Sequence, residues 1–395
     1  MDKEVVIIDG ARTPFGTFGG TLRDVEATDL AIITAKEAMR RSCVEPSVID
    51  AVVVGNVIQS TGAAAYIARH MALAVGVPTE TPALIVNRLC GSGLQAVVTG
   101  AQWLLLGEAQ WVLAGGSESM SSAPYVVKGA RWGLGLDGGK LEDALWHALV
   151  DPYRKTPMAV TAENVAAKYG LTREEVDEFA YTSQMRAKEA TEAGRLREEI
   201  VPVPVRGKGG ATVLFDKDEH IRGDATLEGL AKLKPRFKEG GVVTAGNASG
   251  INDGAGMMVV TTMANARERG LKPLGRVISW STVGVDPDIM GMGPARAIPI
   301  AVKRAGMSMD QIDLFEVNEA FAAQYLGVEK ELGLDRSKTN VNGGAVAIGH
   351  PLAASGARLA ITTLYELRRR GKRYGVASLC IGGGQGIAAV LENLQ

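Results

Sequence analysis

The chain has 395 residues and a mass of 41.5 kDa, which is more than one simple core usually holds, so about two or three packed units are expected. Apolar residues make up 46% and charged residues 22%, proportions that are typical of a globular protein and exclude a disordered chain. The formal net charge of −1 provides no basic field for nucleic acid or an anionic membrane, so a small-molecule partner is favoured.

Cysteine usage and the N-terminal residues bear on the compartment. The three cysteines, Cys43, Cys90 and Cys380, cannot all pair, so we expect free thiols in a reducing compartment. The N-terminal run into the apolar residues 5–8 lacks the basic region and cleavage site of a secretory signal. No uninterrupted apolar stretch approaches the roughly 18 residues that span a bilayer. An intracellular protein without a membrane span is expected.

Short β-branched runs alternate with amphipathic helical stretches along much of the chain. This alternation predicts an α/β sheet with crossover helices. The first part has predicted strands at 5–8, 51–54, 83–86 and 111–114 and predicted helices at 29–41 and 92–106. The last part has predicted strands at 275–279, 314–317 and 376–379 and predicted helices at 297–305 and 355–369.

The first and last parts share an internal register. Residues 48–50 (VID) align with 311–313 (QID) at an offset of 263, and Ser92 aligns with Ser355 at the same offset. The glycines that end the two following predicted helices, Gly107 and Gly371, are offset by 264. A nearly constant offset indicates a duplication, although βα units also resemble one another without one.

Between these parts lies a segment that is richer in charge, with predicted helices at 161–168 and 173–193. The predicted organisation is a first half at 1–121 that is completed by 249–270, an inserted domain at 122–248 and a second half at 271–395. Insertions of this kind often cover a ligand site. Residues 206–238 carry an excess of three positive charges, which could face a phosphorylated ligand but is more often an ordinary solvated surface.

Cys90 has the setting of a nucleophile. It lies in NRLCGSG at 87–93, between a predicted strand and a predicted helix. A thiol at a helix N-terminus feels the positive end of the helix dipole, which favours the thiolate. The adjacent glycines allow a thioester to approach backbone N–H groups that could stabilise an oxyanion. The alternative, an inert buried cysteine, is the interpretation we adopt for Cys43.

His350 is the candidate base. It lies in GGAVAIGHP at 343–351, ahead of a predicted helix, and by the internal repeat it occupies the duplicate of the Cys90 loop. Packing of two similar halves would therefore bring the imidazole towards the thiol, where it can accept and return a proton. The alternative is a surface turn histidine.

Cys380 and Asn318 both follow predicted strands. Cys380 begins CIGGGQG at 380–386, where a tuned thiol suits proton transfer to and from carbon. A phosphate-binding loop is disfavoured because the Lys-Ser/Thr ending is missing. Asn318, in VNEAF at 317–321, can hold a water or a carbonyl oxygen. No cysteine or histidine cluster has zinc spacing, so a metal is not required.

Together these blocks resemble the signature blocks of the thiolase family. TAEN at 161–164 and TAGNASG at 244–250 extend the resemblance over nearly the whole chain. The resemblance implies an α/β thiolase fold with two duplicated βαβαβαββ halves in five layers, αβαβα, and an inserted loop domain. It also implies a homodimer or homotetramer.

The resemblance implies a role for each site residue. Cys90 would be acylated while His350 receives its proton, and Cys380 would exchange the α-proton of acetyl-CoA. Asn318, through a water, and His350 would form one oxyanion hole, and the backbone N–H groups of Cys90 and Gly382 the other. Two thioester exchanges at one sulfur predict ping-pong kinetics.

Coenzyme A and acyl-CoA thioesters enter as substrates, and no permanently bound cofactor is implied. Ser249 would contact the pantetheine arm, Arg222 the nucleotide, and Met158 and Phe321 the substrate. Pro157-Met158 departs from the His-Met pair of acetoacetyl-CoA-type thiolases and resembles the mitochondrial 3-ketoacyl-CoA type. The expected substrate is therefore acetoacetyl-CoA or a longer 3-ketoacyl-CoA.

A second departure and two alternatives remain. Ala353-Ala354 replaces a usual glycine, with unknown effect. A 3-ketoacyl synthase-like condensing enzyme would need a second histidine or an asparagine in place of Cys380. A non-catalytic acyl-CoA or lipid carrier would not need Cys90, His350 and Cys380 together. The resemblance is compatible with a cytoplasmic protein or, in a eukaryote, one of the mitochondrial matrix.

Overall fold

The computed structural model describes residues 4–136 and 138–395. Its strands, β1 to β16 in chain order, are Val5–Arg12, Gly16–Thr17, Ala51–Gly55, Ala83–Val86, Trp111–Ser119, Tyr125–Val127, Leu141–Asp143, Val150–Asp151, Thr156–Pro157, Val203–Arg206, Thr212–Phe215, Asn252–Thr262, Gly275–Gly284, Leu314–Val317, Tyr374–Ile381 and Gln385–Asn393. Its α-helices, α1 to α12, are Ala27–Ser42, Ile67–Ala74, Ser92–Leu106, Ala144–Leu149, Met158–Tyr169, Arg173–Glu192, Leu227–Ala231, Met263–Glu268, Gly293–Arg304, Ala322–Leu332, Ala345–Ile348 and Leu352–Arg370.

One large sheet connects the two halves of the fold. In the described residues its strands follow the order β14-β15-β16-β13-β1-β12-β5-β3-β4, with the short β2 beside β12. The halves meet where β1 pairs antiparallel with β13 over three residue pairs. Next to this junction the pairs are antiparallel, β1–β12–β5 on one side and β13–β16–β15 on the other. The outer pairs are parallel, β5–β3–β4 on one side and β15–β14 on the other.

The strand register confirms the duplication. Ala51 pairs with Val112 between the parallel strands β3 and β5, and Leu314 pairs with Gly375 between β14 and β15. Both members of the second pair lie 263 residues beyond those of the first. β1 and β13 even share a register shift near their starts. The boundaries at 121, 248 and 270 stay a prediction.

The helices complete five layers, as expected. α1 packs on β1 and β12 on one outer side, and α9 packs on β13 and β16 on the other. α3 and α12 lie in the middle, in contact with one another and with strands of both halves. This central layer contributes to an apolar core whose members come from both halves, among them Leu94, Val97, Leu359 and Leu379.

The central helices contact each other closely at their N-terminal ends. A side chain on Gly93 would overlap the backbone of Ala353 and Ala357, and one on Gly356 would overlap the backbone of Leu94. Glycine at both positions therefore lets the start of α3 lie directly against the start of α12. The residues just before these helices, which include Cys90 and His350, are brought to one region by this contact.

The predicted elements agree with the observed ones except at some ends. The helix at 92–106 and the strand at 314–317 have the predicted bounds. The helix predicted from 297 begins at Gly293, where Pro294 fits the first turn, and the helix predicted from 355 begins at Leu352. β12 and β16 were not predicted. Both are buried almost throughout and lack the alternation of a half-exposed strand.

One stretch of the described chain, Leu89–Leu106, is long and apolar enough to cross a membrane by length and composition. It consists of α3 and the three residues before it, and just over half of it is buried. A core helix of a globular protein passes the same test, and α3 lies in the central layer. This position is consistent with the expected absence of a membrane span.

Replacing Gly93 with alanine tests the close contact between α3 and α12. The added methyl would overlap backbone atoms of Ala353 and Ala357, which cannot move without displacing α12. We expect the free energy of unfolding to fall by about 3 kcal/mol or more. Urea denaturation measures it, with Gly62→Ala as the control, since no atom lies within 4 Å of a side chain there. Equal stability of the two variants would contradict the close contact.

Candidate active site

Cys90 lies on a tight turn between β4 and α3. Leu89 has a positive φ of 46°, and the N–H groups of Gly91 and Ser92 donate to the carbonyls of Arg88 and Leu89 at 3.0 Å. The Ser92 hydroxyl closes the turn, because it accepts from the Arg88 N–H at 2.9 Å and donates to the Leu89 carbonyl at 2.7 Å. The turn leaves the Cys90 thiol partly buried at the start of α3, whereas Cys43, expected to be buried, is exposed where α1 ends.

The resting state of Cys90 is a thiol. Burial raises the pKa of Cys90 to about 11, and the charge of Glu118 adds to this increase. The backbone N–H groups of Gly382 and of Cys90 itself act in the opposite direction but do not outweigh burial. The expectation that the helix N-terminus would favour a thiolate is therefore wrong for the free enzyme. The same two N–H groups are the ones expected to form an oxyanion hole.

The ring of His350 is oriented by a chain of hydrogen bonds. Its Nδ1 lies 2.6 Å from the Ser355 hydroxyl, which donates its own proton to the Pro351 carbonyl at 2.8 Å. Ser355 therefore accepts from Nδ1–H, and Nε2 carries the lone pair. Nε2 lies 3.3 Å from the side-chain nitrogen of Asn318. The backbone N–H of His350 donates to Asn252 Oδ1 at 3.0 Å.

His350 is an uncharged base. Burial lowers the pKa of His350 from 6.5 to about 3, and the nearby positive charge of Arg358 contributes to the decrease. A neutral imidazole with its lone pair on Nε2 can take a proton from a thiol without first losing one.

Asn318 follows β14 and is fully buried. Its backbone N–H donates to the Ser378 carbonyl at 2.9 Å, and its side-chain nitrogen faces His350. Its carbonyl oxygen, Oδ1, is buried without a hydrogen-bond partner in the described part of the chain. An unpaired buried acceptor costs free energy unless a water or ligand satisfies it. The orphan oxygen fits the expected role of holding a water beside His350.

Cys380 is the second-to-last residue of β15 and is fully buried. Burial raises the pKa of Cys380, and the charge of Cys90 is the next cause, so the two sulfurs are electrostatic neighbours. Gly383 and Gly384, with φ of 77° and 83°, turn the chain into β16. The glycine run is thus a hairpin turn, not the strand-to-helix loop that binds phosphate.

A cavity of about 180 Å³ is lined by Cys90 and His350 but not by Asn318. Five of the predicted site residues line it, namely Cys90, His350, Ser249, Met158 and Phe321. The other lining residues are mainly apolar: Met120, Trp146, Leu149, Pro157, Ala159, Phe237, Ala248, Gly250, Ile251, Met290, Ala320 and Leu352. Cys380 does not line the cavity but packs behind it, against Met158, Met290, Ala320 and Phe321.

Arg222 lies apart from this cavity. It lines a second cavity of about 430 Å³ together with Gln184, His220 and Asp224. Residues 245–250 connect the two, since Ala245 and Gly246 border the second cavity and Ser249 and Gly250 the first. Residues 248–249 are fixed by pairing with 320–321, where the Ser249 N–H donates to the Ala320 carbonyl at 3.0 Å.

Comparison with known proteins identifies the fold and the family. The family of thiolase N-terminal domains matches residues 5–264, and that of thiolase C-terminal domains matches 271–393. The chain belongs to the thiolase family. The human mitochondrial 3-ketoacyl-CoA thiolase is 51% identical over 392 residues, covering 99% of this chain and 98% of the relative. A beta-ketothiolase of Cupriavidus necator is 48% identical, with both chains fully covered.

The solved structures agree with the sequence comparison. The human mitochondrial 3-ketoacyl-CoA thiolase in complex with CoA superimposes with a TM-score of 0.96 at 49% identity, covering 100% of this thiolase and 98% of that chain. The predicted thiolase fold is therefore confirmed.

Sequence reasoning missed several residues around the cavity of this thiolase. Glu118 is buried in β5, within GGSES at 115–119, and its charge acts on Cys90. An acidic residue inside an otherwise apolar strand is a signal that could have identified it, since buried carboxylates are rare. Trp146, Leu149 and Phe237 come from the inserted segment, where no pattern predicts their position.

We expect His350 to remain neutral until the pH approaches about 3, because burial opposes its positive form. Imidazole ¹⁵N NMR of histidine-labelled protein should show one Nδ1–H and one unprotonated Nε2 throughout the neutral range. The same histidine in urea-unfolded protein should titrate near its ordinary value of 6.5. A folded-state His350 signal that titrates near 6.5 would contradict the neutral-base assignment.

Proposed function

We propose that this thiolase cleaves and forms 3-ketoacyl-CoA through an acyl thioester on Cys90. The observation that carries the proposal is that the Cys90 thiol and the neutral His350 line one cavity, with Cys380 directly behind its wall. In thiolysis, His350 Nε2 takes the thiol proton as the Cys90 sulfur attacks the C3 carbonyl of the substrate. The C2–C3 bond then breaks, and its electron pair goes to C2 of the departing acetyl-CoA enolate.

Cys380 completes the first half of the reaction by giving its proton to C2, which yields acetyl-CoA. A buried thiol with a raised pKa holds its proton until a stronger base such as the enolate carbon is present. The thiol of CoA then returns a proton to Cys380 and attacks the acyl group on Cys90. The released Cys90 sulfur recovers its proton from the His350 imidazolium, and the product is an acyl-CoA shortened by two carbons. The same steps in reverse form the carbon–carbon bond.

Two oxyanion sites serve this chemistry. The backbone N–H groups of Cys90 and Gly382 both act on the Cys90 sulfur, so a carbonyl carbon bonded to that sulfur would hold its oxygen near them. Asn318 and His350 lie 3.3 Å apart, and a water on the unpaired Asn318 Oδ1 would stabilise the enolate oxygen. The proposal keeps Asn318 uncharged throughout, because an amide does not titrate.

CoA and acyl-CoA are the proposed ligands, with no permanently bound cofactor. Ser249 lines the catalytic cavity and would contact pantetheine, while Arg222 in the second cavity would contact the nucleotide. Residues 245–250 border both cavities, which supports one extended ligand. Met158 and Phe321 would contact the thioester, since both line the cavity and pack on Cys380. A 3-ketoacyl synthase is disfavoured by the position of Cys380, and a carrier by the retained thiol and base.

We further propose a homodimer or homotetramer that acts in fatty acid metabolism, in the degradative β-oxidation direction. Support for this direction comes from relatives at about 50% identity that are named mitochondrial 3-ketoacyl-CoA thiolases. The cytoplasm or, in a eukaryote, the mitochondrial matrix is the proposed compartment.

Substitution of the two cysteines separates the steps of the reaction. Cys90→Ser should reduce thiolysis of a 3-ketoacyl-CoA by at least about 10³-fold, because an alcohol is a much weaker nucleophile here. Cys380→Ser should block exchange of the acetyl-CoA α-protons with deuterated solvent and still allow acylation of Cys90 by acyl-CoA. Mass spectrometry follows acylation and NMR follows exchange, with Cys43→Ser as the matched control. Turnover by the Cys90 variant near the wild-type rate would reject the mechanism.

The acyl chain on Cys90 has a defined direction. Cys90 packs against an apolar group that includes Ile58, Met120, Leu149 and Leu352, whereas Cys380 packs against a different one. An acyl group on Cys90 therefore extends towards Met120 and Leu149, and the acetyl unit lies towards Cys380. Trp146 also lines the cavity; it is 47% exposed and sits with Leu149 on the six-residue helix α4. Because this part of the cavity wall is partly exposed, we expect the cavity to accept acyl groups longer than acetyl.

Trp146→Ala should shift selectivity towards longer substrates, because removal of the indole enlarges the cavity on the side of α4. We expect the ratio of kcat/KM for a long-chain 3-ketoacyl-CoA to that for acetoacetyl-CoA to rise by roughly fourfold per additional buried methylene, since each contributes about 0.8 kcal/mol. Thiolysis rates over a series of chain lengths measure the ratio. Tyr153→Ala is the control, as Tyr153 is 84% exposed in the same insertion and does not line the cavity. The direction of the acyl chain is wrong if both variants keep the wild-type ratio.

A further inference from the structure

Glu118 is a buried carboxylate that the mechanism above does not use. It lies in β5, a strand of nine buried residues, and its own side chain is fully buried. Its carboxylate accepts hydrogen bonds from uncharged N–H groups: from the Asn56 side chain at 3.2 Å and from the backbones of Val57 at 3.2 Å, Ile58 at 3.0 Å and Ala353 at 3.1 Å. Burying a carboxylate costs free energy even when it is hydrogen-bonded, so a buried carboxylate with four donors indicates a structural or functional role.

The donors come from the two segments that must meet at the active site. Val57 and Ile58 follow β3, and Ile58 belongs to the apolar group that packs against Cys90. Ala353 lies in the first turn of α12, three residues after His350. The Glu118 carboxylate thus links the loop after β3, which packs near Cys90, to the start of α12, which follows His350.

In the described part of the chain, Glu118 is one of three side-chain acceptors that bind backbone N–H groups of residues 346–353, which we call the His350 segment. The N–H of Val346 donates to Glu319 at 3.2 Å, that of His350 to Asn252 at 3.0 Å, and that of Ala353 to Glu118 at 3.1 Å. The three acceptors belong to three different regions of the sheet: Asn252 begins β12, Glu118 is in β5, and Glu319 follows β14. Anchoring on both sides of His350 leaves its backbone little freedom to move away from Cys90.

Glu118 differs from Glu319 in its electrostatic effect. The charge of Glu118 raises the pKa of Cys90, and it is the carboxylate that acts on this thiol. Burial and the charge of Asp253 raise the pKa of Glu118 itself to about 8, against the lowering effect of its backbone donors. The other titratable groups around the nucleophile are Cys380, which is coupled to Cys90, and the neutral His350.

We propose that Glu118 is a positioning residue of the thiolase reaction, which fixes the His350 segment against the surroundings of Cys90 and, when ionised, opposes formation of the Cys90 thiolate. Burial keeps the nucleophile protonated until the imidazole takes the proton, and the charge of Glu118 adds to this effect where Glu118 is ionised, above about pH 8. The inference rests on the proposed function for its effect on turnover but not for its effect on the thiol.

The test is the pH dependence of Cys90 alkylation by iodoacetamide, followed by mass spectrometry of the Cys90 peptide so that Cys43 does not interfere. Above about pH 8, where Glu118 is ionised, Glu118→Gln should be alkylated about tenfold faster than wild type at the same pH, because one nearby negative charge is removed. The difference should shrink as the pH falls through about 8, since Glu118 is then neutral in the wild type. A merely structural substitution would not produce this crossover.

Turnover provides the second readout. Glu118→Gln and the matched control Glu319→Gln should both lower kcat for thiolysis by about tenfold or more, since each disturbs one anchor of the His350 segment. Only Glu118→Gln should change the alkylation profile. Glu118→Asp keeps the negative charge, but its shorter side chain places the carboxylate farther from the Ala353 N–H. This variant should therefore lower kcat without accelerating alkylation. It replaces Glu118→Gln as the test if the Gln variant does not fold.

An alkylation profile of folded Glu118→Gln that coincides with wild type overturns the proposal, as does a wild-type kcat in Glu118→Asp. Alkylation needs no turnover. A wild-type protein that fails to cleave any 3-ketoacyl-CoA would therefore reject the proposed function and still leave the effect of Glu118 on Cys90 measurable.

Discussion

The contact between the N-terminal ends of α3 and α12 is the constraint on which the active site depends. Cys90 and His350 lie 260 residues apart in sequence, and each occupies a loop just before one of these two helices. Gly93 and Gly356 have no side chains, so the helices touch through their backbones. A methyl group at either position would overlap backbone atoms of the facing helix, so the two helices and the loops before them would have to move apart. The duplication of the fold supplies the geometry, because equivalent loops of two similar halves meet at one junction.

Burial determines the charge state of the reacting groups. The same apolar surroundings raise the pKa of both thiols and lower the pKa of the imidazole. The site therefore rests without charge on any of its three reacting groups, which suits a thioester substrate that is itself uncharged at the reacting carbon. In the proposed mechanism charge appears only as bonds change, and the N–H groups of Cys90 and Gly382, which act on the Cys90 sulfur, would stabilise it where it develops. Donors fixed in advance in a buried site stabilise a transition state more than a thiolate prepared in the ground state would.

Much of the fold and the site could be predicted from the sequence, for identifiable reasons. The helix at 92–106 is periodic and ends at Gly107 in the left-handed conformation, so both ends are encoded locally. Cys90 and His350 were expected to meet because the internal register of 263 residues makes their loops equivalent. β12 escaped prediction because Asn252–Thr262 is buried on both faces and its glycines are typical of a loop. The thiolate expectation failed because desolvation depends on neighbours distant in sequence, such as Ile58 and Leu352, which local motifs do not reveal.

In the proposed mechanism, different parts of this thiolase carry the chemistry and limit the length of the acyl group. The reacting groups stand on loops of the duplicated halves, where any displacement is opposed by backbone contacts and by buried acceptors such as Asn252 and Glu319. The acyl wall is instead built from short, partly exposed elements of the insertion, among them α4 with Trp146 and Leu149. Substitutions in these elements can change the shape of the cavity with little loss of folding stability, because the elements make few apolar contacts with the central sheet. Substitutions in the insertion would therefore change the acyl length that this thiolase accepts without moving its sulfurs or its imidazole.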